Sequence, residues 1–268
     1  MAETTLSPRY EIRVLSGTDH AKWACALVTH SSIYSSPVFS PLSRPEEKSQ
    51  LCHEMFQAAL YQMTHQVNSG LSLGIFDTQY QYNYPESIST QGKLYWDPSN
   101  QEEATETSLL KEMDFPLLSV ALSYDSYYPL DPPKLTSLYN LFSFLPLRNK
   151  ATDKRDPRPK KEWKATGPKQ VLSRGGTVTK QGEEGKGFMK ELAWELMRKA
   201  KKEGFRGIQI GCMHDYVTRV WERPPKPFEG KVVVRYRIGE EEELKGVVGK
   251  EVWGVEITRV WVDLKGGE

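Results

Sequence analysis

Val171-Leu-Ser-Arg-Gly-Gly-Thr-Val-Thr-Lys-Gln-Gly-Glu-Glu-Gly-Lys-Gly-Phe-Met-Lys-Glu-Leu-Ala-Trp-Glu-Leu-Met-Arg-Lys-Ala-Lys-Lys202 is the stretch that decides the fold. Val171 to Thr179 predicts a strand, and the paired Gly175 and Gly176 inside it mark a bulge or a place where something approaches the backbone. Thr179 to Gly187 predicts a loop. Gly187 to Glu203 then predicts a helix, with Phe188, Leu192, Leu196 and Ala200 on one face, widened by Met189, Ala193 and Met197. Lys201 and Lys202 complement the last carbonyls, and Gly204 supplies the left-handed stop. A strand, a glycine turn and a helix N-terminus together make an anion site. The first helical amides have no internal acceptor, and the helix dipole adds about half a positive charge there. The pattern is equally that of a tight turn packing helix on strand.

Spacing excludes two common phosphate motifs. In the nucleoside-triphosphate loop Gly-Lys is followed by Ser or Thr, whereas Gly185-Lys186 is followed by Gly187, and Lys180 stands where the first glycine belongs. The dinucleotide fingerprint Gly-x-Gly-x-x-Gly fails because Lys190 holds the third glycine position.

Outward from this stretch, Gly207–Met213 predicts a strand, His214–Glu222 a short helix, and Val232–Arg237 and Val252–Leu264 two strands joined by a tip at Glu240–Glu243. Upstream, Tyr10–Leu15 predicts a strand and Thr18 or Asp19 the cap of a helix carrying Trp23, Ala24, Ala26, Leu27 and Val28. A second helix starts near Ser43-Arg44-Pro45, presents Leu51, Met55, Ala58, Ala59 and Met63, and stops at Asn68-Ser69-Gly70. Leu71–Phe76 and Leu117–Tyr124 predict strands, and Leu135–Leu145 a helix. Gln79–Asp114 predicts a polar excursion with one short strand at Leu94-Tyr95-Trp96. Arg148–Lys164, with eight basic residues, three acidic residues and two prolines, predicts a solvated loop.

The 268 residues are 38% hydrophobic and 26% charged with a formal net charge of +1, which gives no global pull toward nucleic acid or membrane. Cys25, Cys52 and Cys212 lie far apart with no CxxC pair, which argues against a disulfide framework or a structural zinc and fits a reducing compartment. Met1–Arg9 carries no apolar signal core, and no apolar run approaches the roughly 18 residues that span a bilayer. The expectation is a cytoplasmic protein without membrane partners or metal.

Glu184-Gly185-Lys186-Gly187-Phe188-Met189 followed by Leu192 resembles the pyrophosphate loop of the GNAT superfamily of acyl-CoA N-acyltransferases, in which Arg/Gln-x-x-Gly-x-Gly/Ala heads a helix. The resemblance covers roughly Val171 to Leu264, is topological over the N-terminal half, and is greatest to fungal GNAT-like proteins. It implies an α+β (mixed α/β) fold: a central, mostly antiparallel sheet flanked by helices, with a parallel splayed strand pair. It implies one domain over residues 1–268, with an N-terminal half at 10–147 bearing the acceptor-side helices, the basic loop at 148–164, and an acyl-CoA-binding half at 165–268. Acetyl-CoA or another acyl-CoA is the implied co-substrate. Amides from Gly185, Lys186, Gly187, Phe188 and Met189 would hold its pyrophosphate, and Arg174, Gly175, Gly176, Thr177 and Val178 would line its pantetheine arm. The chain departs from the pattern at Glu184, at Met189 in place of a small residue, and at Trp221 where the family often has the tyrosine that protonates the departing thiolate. Lys180 and Lys186 are placed to offset the Glu184 charge.

The implied reaction needs a base, for which His214, with an ordinary pKa of about 6.5, is the candidate, and an acid, for which Tyr216 is. Each has a plainer alternative as a capping or packed residue. Asp215 reads as a cap and Cys212 as a small buried residue. Gly70-Leu-Ser72-Leu-Gly74 matches the hydrolase elbow in letters, but the helix lies before it and the strand after, the reverse of what that elbow needs. His53 and His65 lack the carboxylates of a metal site. Asp125, among tyrosines at Tyr124–Tyr128, is a candidate for holding a cationic amine, and Arg148–Lys164 for reaching a 3′-phosphate or nucleic acid. The leading expectation is acetyl transfer to a small-molecule amine. The alternatives are a GNAT-like protein that binds a ligand without transfer and, more remotely, a nucleic-acid-associated protein.

Overall fold

The structure is a computed structural model describing residues 6–97, 99 and 104–266. Residues 98 and 100–103 of the polar excursion, and the first five residues of the segment read for a signal, lie outside the described residues. In chain order the elements are β1 (Tyr10–Val14), α1 (Gly17–Ser35), α2 (Lys48–Asn68), β2 (Leu73–Asp77), α3 (Pro85–Thr90), β3 (Lys93–Leu94), α4 (Glu106–Glu112), β4 (Met113–Asp114) and β5 (Leu117–Asp125). They continue with α5 (Thr136–Leu141), α6 (Phe144–Arg155), α7 (Lys160–Trp163), β6 (Val171–Thr179), α8 (Phe188–Lys202), β7 (Gly207–Cys212), α9 (Asp215–Glu222), β8 (Glu229–Arg237), α10 (Glu242–Lys245) and β9 (Glu256–Asp263).

Seven strands form one sheet in the order β1-β2-β5-β6-β7-β9-β8, and β3 and β4 form a separate two-stranded ribbon. β6 and β7 run parallel, from Val171↔Gly207 to Arg174↔Ile210, while β1–β2, β2–β5, β7–β9 and β8–β9 are antiparallel. This is the expected α+β class. The inner strands β2 and β5 are buried almost throughout, as their predominantly apolar runs require, whereas the edge strand β1 turns Glu11 and Arg13 to solvent. Every face residue expected of α8, from Phe188 through Leu192 and Leu196 to Ala200, is buried.

The chain forms two compact units, Met1–Leu122 with Gly176–Leu192, and Ser123–Gly175 with Ala193–Glu268. The end of β6, the glycine loop and the start of α8 belong to the N-terminal unit.

The corrections are local. Arg148–Lys164 is largely helical, in α6 and α7, and several of its charges find partners: Arg155 pairs with Glu241, Lys150 with Glu243 at 2.9 Å, and, in the link between the two helices, Arg158 with Asp156 at 2.7 Å. Leu135–Leu145 is broken at Phe142-Ser143 between α5 and α6. The polar excursion holds two helices, α3 and α4, as well as the short strand. Glu240–Glu243 is no bare hairpin tip, since it enters the one-turn α10, and β9 starts at Glu256 rather than Val252. Among the described residues no helix is long and apolar enough to cross a membrane.

Candidate functional site

The loop Lys180–Gly187 leaves β6 through a tight turn in which Glu183 N–H donates to the Lys180 carbonyl at 3.0 Å. Gly185 and Gly187 have φ of +78° and +80°, a left-handed conformation that costs a side-chain-bearing residue about 1–2 kcal/mol. A Cβ built on either would meet no heavy atom within 4 Å, so the space above these two residues is open. Glu191 N–H closes the first helical bond onto the Gly187 carbonyl at 3.2 Å. The amides of Phe188 and Met189 therefore precede the ladder of α8 and face outward, beside two glycines with no side chain in the way.

β1 anchors this loop. The Phe188 ring meets Tyr10 edge-on at 4.8 Å, and Lys186 Nζ lies 2.5 Å from Glu183 and 3.4 Å from the Tyr10 hydroxyl. Glu184, the charge that departs from the family pattern, accepts the Gly182 N–H at 2.7 Å. Upstream, Ser119 Oγ donates to the Val178 carbonyl at 3.0 Å and lies 2.9 Å from Thr179 Oγ1, and Lys180 N–H donates to the Leu118 carbonyl at 2.7 Å. Gly176 lies against Leu122, which a Cβ there would touch at 3.4 Å. Thr177 and Val178 are half-buried.

In the C-terminal unit, the Arg174 side chain is buried with its guanidinium 5.5 Å from the centre of the Trp221 ring, and burial lowers its pKa. Cys212 is buried, and its thiol is pushed up to about 11 by burial, opposed by hydrogen bonds to Thr258 and Thr218. It is a packed thiol. His214 caps α9: its Nδ1 accepts the Tyr216 N–H at 3.2 Å. That bond assigns the proton of the neutral ring to Nε2, so the capped imidazole is a donor at its outer nitrogen. Tyr216 is 66% exposed, with its ring stacked on His214 at 5.3 Å. Asp215 sits in the first turn of α9 but does not supply the cap, which His214 does. The structure thus brings His214 and Tyr216 together in the C-terminal unit and gathers Gly185–Met189 in the N-terminal unit.

Several other expected site residues are otherwise engaged. The Asp125 carboxylate, expected to hold an amine, accepts backbone N–H groups from Lys169 at 2.6 Å and Tyr127 at 3.0 Å. Ser72 is buried with its hydroxyl donating to the Gln66 carbonyl at 2.8 Å, and His53 is packed against Trp96 at 5.7 Å. Among the described residues no group of three or more His, Cys, Asp or Glu is placed to hold a metal ion.

Sequence reasoning did not find a cavity of about 510 Å³ in the N-terminal unit, bounded by Arg9, Asp77, Tyr80, Leu118, Lys180 and Gln181 among others. Lys180 turns into it, away from the role of offsetting Glu184, and donates to the Met113 carbonyl at 2.9 Å. Its walls come from segments distant in sequence, so no local pattern marks them.

No protein-family model and no curated protein sequence matches the chain. Solved structures do. The C-terminal condensation domain of Ebony in complex with beta-alanyl-dopamine superposes with a TM-score of 0.57 at 14% identity, over 94% of this chain and 98% of that one. Arylalkylamine N-acetyltransferase 2 from Aedes aegypti gives a TM-score of 0.52 at 13% identity over 95% and 99%. The Drosophila melanogaster polyamine N-acetyltransferase, which forms N-acetylagmatine, gives 0.51 at 9% identity over 94% and 98%. At these identities the likeness is one of architecture: a mostly antiparallel seven-stranded sheet with one parallel pair, flanked by helices, which is the GNAT fold.

Proposed function

We propose that the chain is an acyl-CoA-dependent N-acetyltransferase acting on the amine of a small molecule. The observation that carries this reading is the pair of left-handed glycines, Gly185 and Gly187, opening directly onto the first amides of α8 with nothing above them. A pyrophosphate fits such a cradle, because backbone N–H groups and the helix dipole meet its charge and no Cβ intrudes. Amides from Gly185 to Met189 are the holding groups, and Lys186 adds a cation. The co-substrate supplies an acyl carbon activated as a thioester. On the acceptor side, His214 is the group proposed to move the amine proton, through Nδ1 on opening of its cap, and Tyr216 the second proton-handling group. A cytoplasmic setting agrees with three free, buried cysteines.

Thermal stabilisation by acetyl-CoA, followed by thiol release on adding amines, tests the reading. A panel of arylalkylamines and polyamines is the first to try, since solved proteins of this fold carry those names. No stabilisation by any CoA species overturns it.

A second reading is favoured by Trp221, fully buried where the family often has its acidic tyrosine, and by the occurrence of this fold in a condensation domain. In that reading the chain binds its ligand without acetyl transfer. Stabilisation without thiol release across the panel selects it.

A further inference from the structure

Arg148, near the start of α6, is the exception among the arginines of the basic segment. Arg155 and Arg158 each meet an acid, Glu241 and Asp156, and Arg259 of β9 is held by Asp153 and Asp156. The Arg148 side chain is half-buried and, among the described residues, makes no ion pair. Its Nε and Nη2 donate to Asn149 Oδ1 at 3.3 and 2.7 Å, and Nη1 meets the Met213 sulfur, a weak acceptor, at 3.2 Å. One N–H on each terminal nitrogen is left over, the end-on pair that grips an oxyanion with two parallel bonds. The titratable groups that face it from neighbouring elements are Tyr139 of α5, Cys212 of β7, Tyr236 of β8 and Arg259. Burial raises the two phenols and the thiol, so all three are neutral at pH 7 and none supplies a counter-charge. A guanidinium drawn out of bulk water without an anion is costly to keep.

Open space lies beside this contact. Gly211 of β7 stands two residues before Met213, the spacing that puts residues on one face of an extended chain. It is exposed, and a Cβ built on it meets no heavy atom within 4 Å. Arg148, Gly211 and Met213 all belong to the C-terminal unit, and His214, the group proposed to move the amine proton, follows Met213 directly. We infer that Arg148 is a specificity-determining residue that binds a carboxylate of the acceptor, so that the acetylated amine belongs to the amino-acid class. One uncompensated positive charge matches one carboxylate, whereas a phosphate dianion leaves a charge over. The inference rests on the transferase reading for the reaction, but the binding of a carboxylate at Arg148 is measurable without the co-substrate.

The test titrates matched compounds into the full chain by calorimetry at pH 7, with no CoA present: phenylalanine against 2-phenylethylamine, arginine against agmatine, and β-alanine against ethylamine. In at least one pair the acid is expected to bind saturably and about ten-fold or more tighter than the amine that lacks it. Arg148→Met is expected to abolish that preference while the thermal midpoint stays level or rises, because an unpaired charge has left a half-buried site. A merely structural arginine gives the opposite result, a lowered midpoint with the preference intact. Equal affinities within every pair, or a preference that survives Arg148→Met, overturns the inference, as does tighter binding of O-phosphoethanolamine than of β-alanine. Where Arg148→Met does not fold, Arg148→Lys decides: it keeps the charge and loses the fork, and an undiminished preference in it overturns the inference. A carboxylate preference without thiol release from acetyl-CoA sinks only the transferase reading. Thiol release without a carboxylate preference sinks only this one.

Discussion

Asp114 shows how a single charged side chain is kept in this interior. It is fully buried, and its carboxylate accepts from Asn83 N–H at 3.0 and 3.1 Å, Asn83 Nδ2 at 3.1 Å, Tyr84 N–H at 3.1 Å and the Tyr80 hydroxyl at 3.2 Å. Burial alone pushes the carboxyl up, but these donors outweigh it and hold the group below its ordinary value. A depressed carboxyl contributes stability that is fully present above its unfolded pKa of about 3.9 and is lost as pH falls through the folded value. Asp114→Asn turns an amide NH₂ toward those donors, and urea unfolding at pH 7 is expected to show a loss of about 2–4 kcal/mol. The loss should shrink in acid. A neutral result at pH 7 would remove Asp114 as an organiser of the excursion. At His214 the two roles separate by magnitude. Loss of the cap in His214→Ala costs about 1 kcal/mol of stability, whereas loss of a proton-moving group lowers kcat by about 100-fold or more. Unfolding and turnover measured on the same variant distinguish a cap from a catalytic group.

At the scale of elements, the legibility of the sequence followed periodicity. α8 was readable because its apolar face repeats over four turns, and β5 because its run is predominantly apolar. α6 was not readable, since Arg148–Lys164 has a loop's composition and its stabilising partners, Glu241 and Glu243, lie far along the chain. The two helices of the excursion were missed because each is short and set by side-chain bonds rather than by an apolar stripe. In α4, for instance, Thr105 Oγ1 accepts the Ser108 N–H at 3.1 Å. The start of β7 depends on one small residue. A Cβ on Gly207 would lie 2.1 Å from Trp261 Cζ2 on β9. Gly207→Ala is expected to cost about 1–3 kcal/mol, with part recovered in the double variant Gly207→Ala/Trp261→Ala. Equal stability of Gly207→Ala and the parent would show that the indole moves freely.

For the whole molecule, a net charge of +1 gives no general pull toward nucleic acid, and Arg155, Lys150 and Arg158 of the most basic segment pair with acids, while Lys154, Lys160, Lys161 and Lys164 are exposed. No association with a DNA duplex is expected at 150 mM salt in a mobility-shift assay, and a steeply salt-dependent complex would restore the nucleic-acid reading. The fold class was legible from the order of elements, and the glycine loop from its spacing. The cavity beside Lys180 was not, because Arg9, Asp77 and Lys180 meet only through the sheet. The central claim is that the loop at the head of α8 binds the pyrophosphate of an acyl-CoA. Calorimetric titration of acetyl-CoA into the parent and into Gly187→Val tests it most directly. The account predicts saturable binding by the parent and a loss of about ten-fold or more, or about 1.4 kcal/mol, in a variant that remains folded. Absence of saturable binding, or equal affinity in the two proteins, would contradict it.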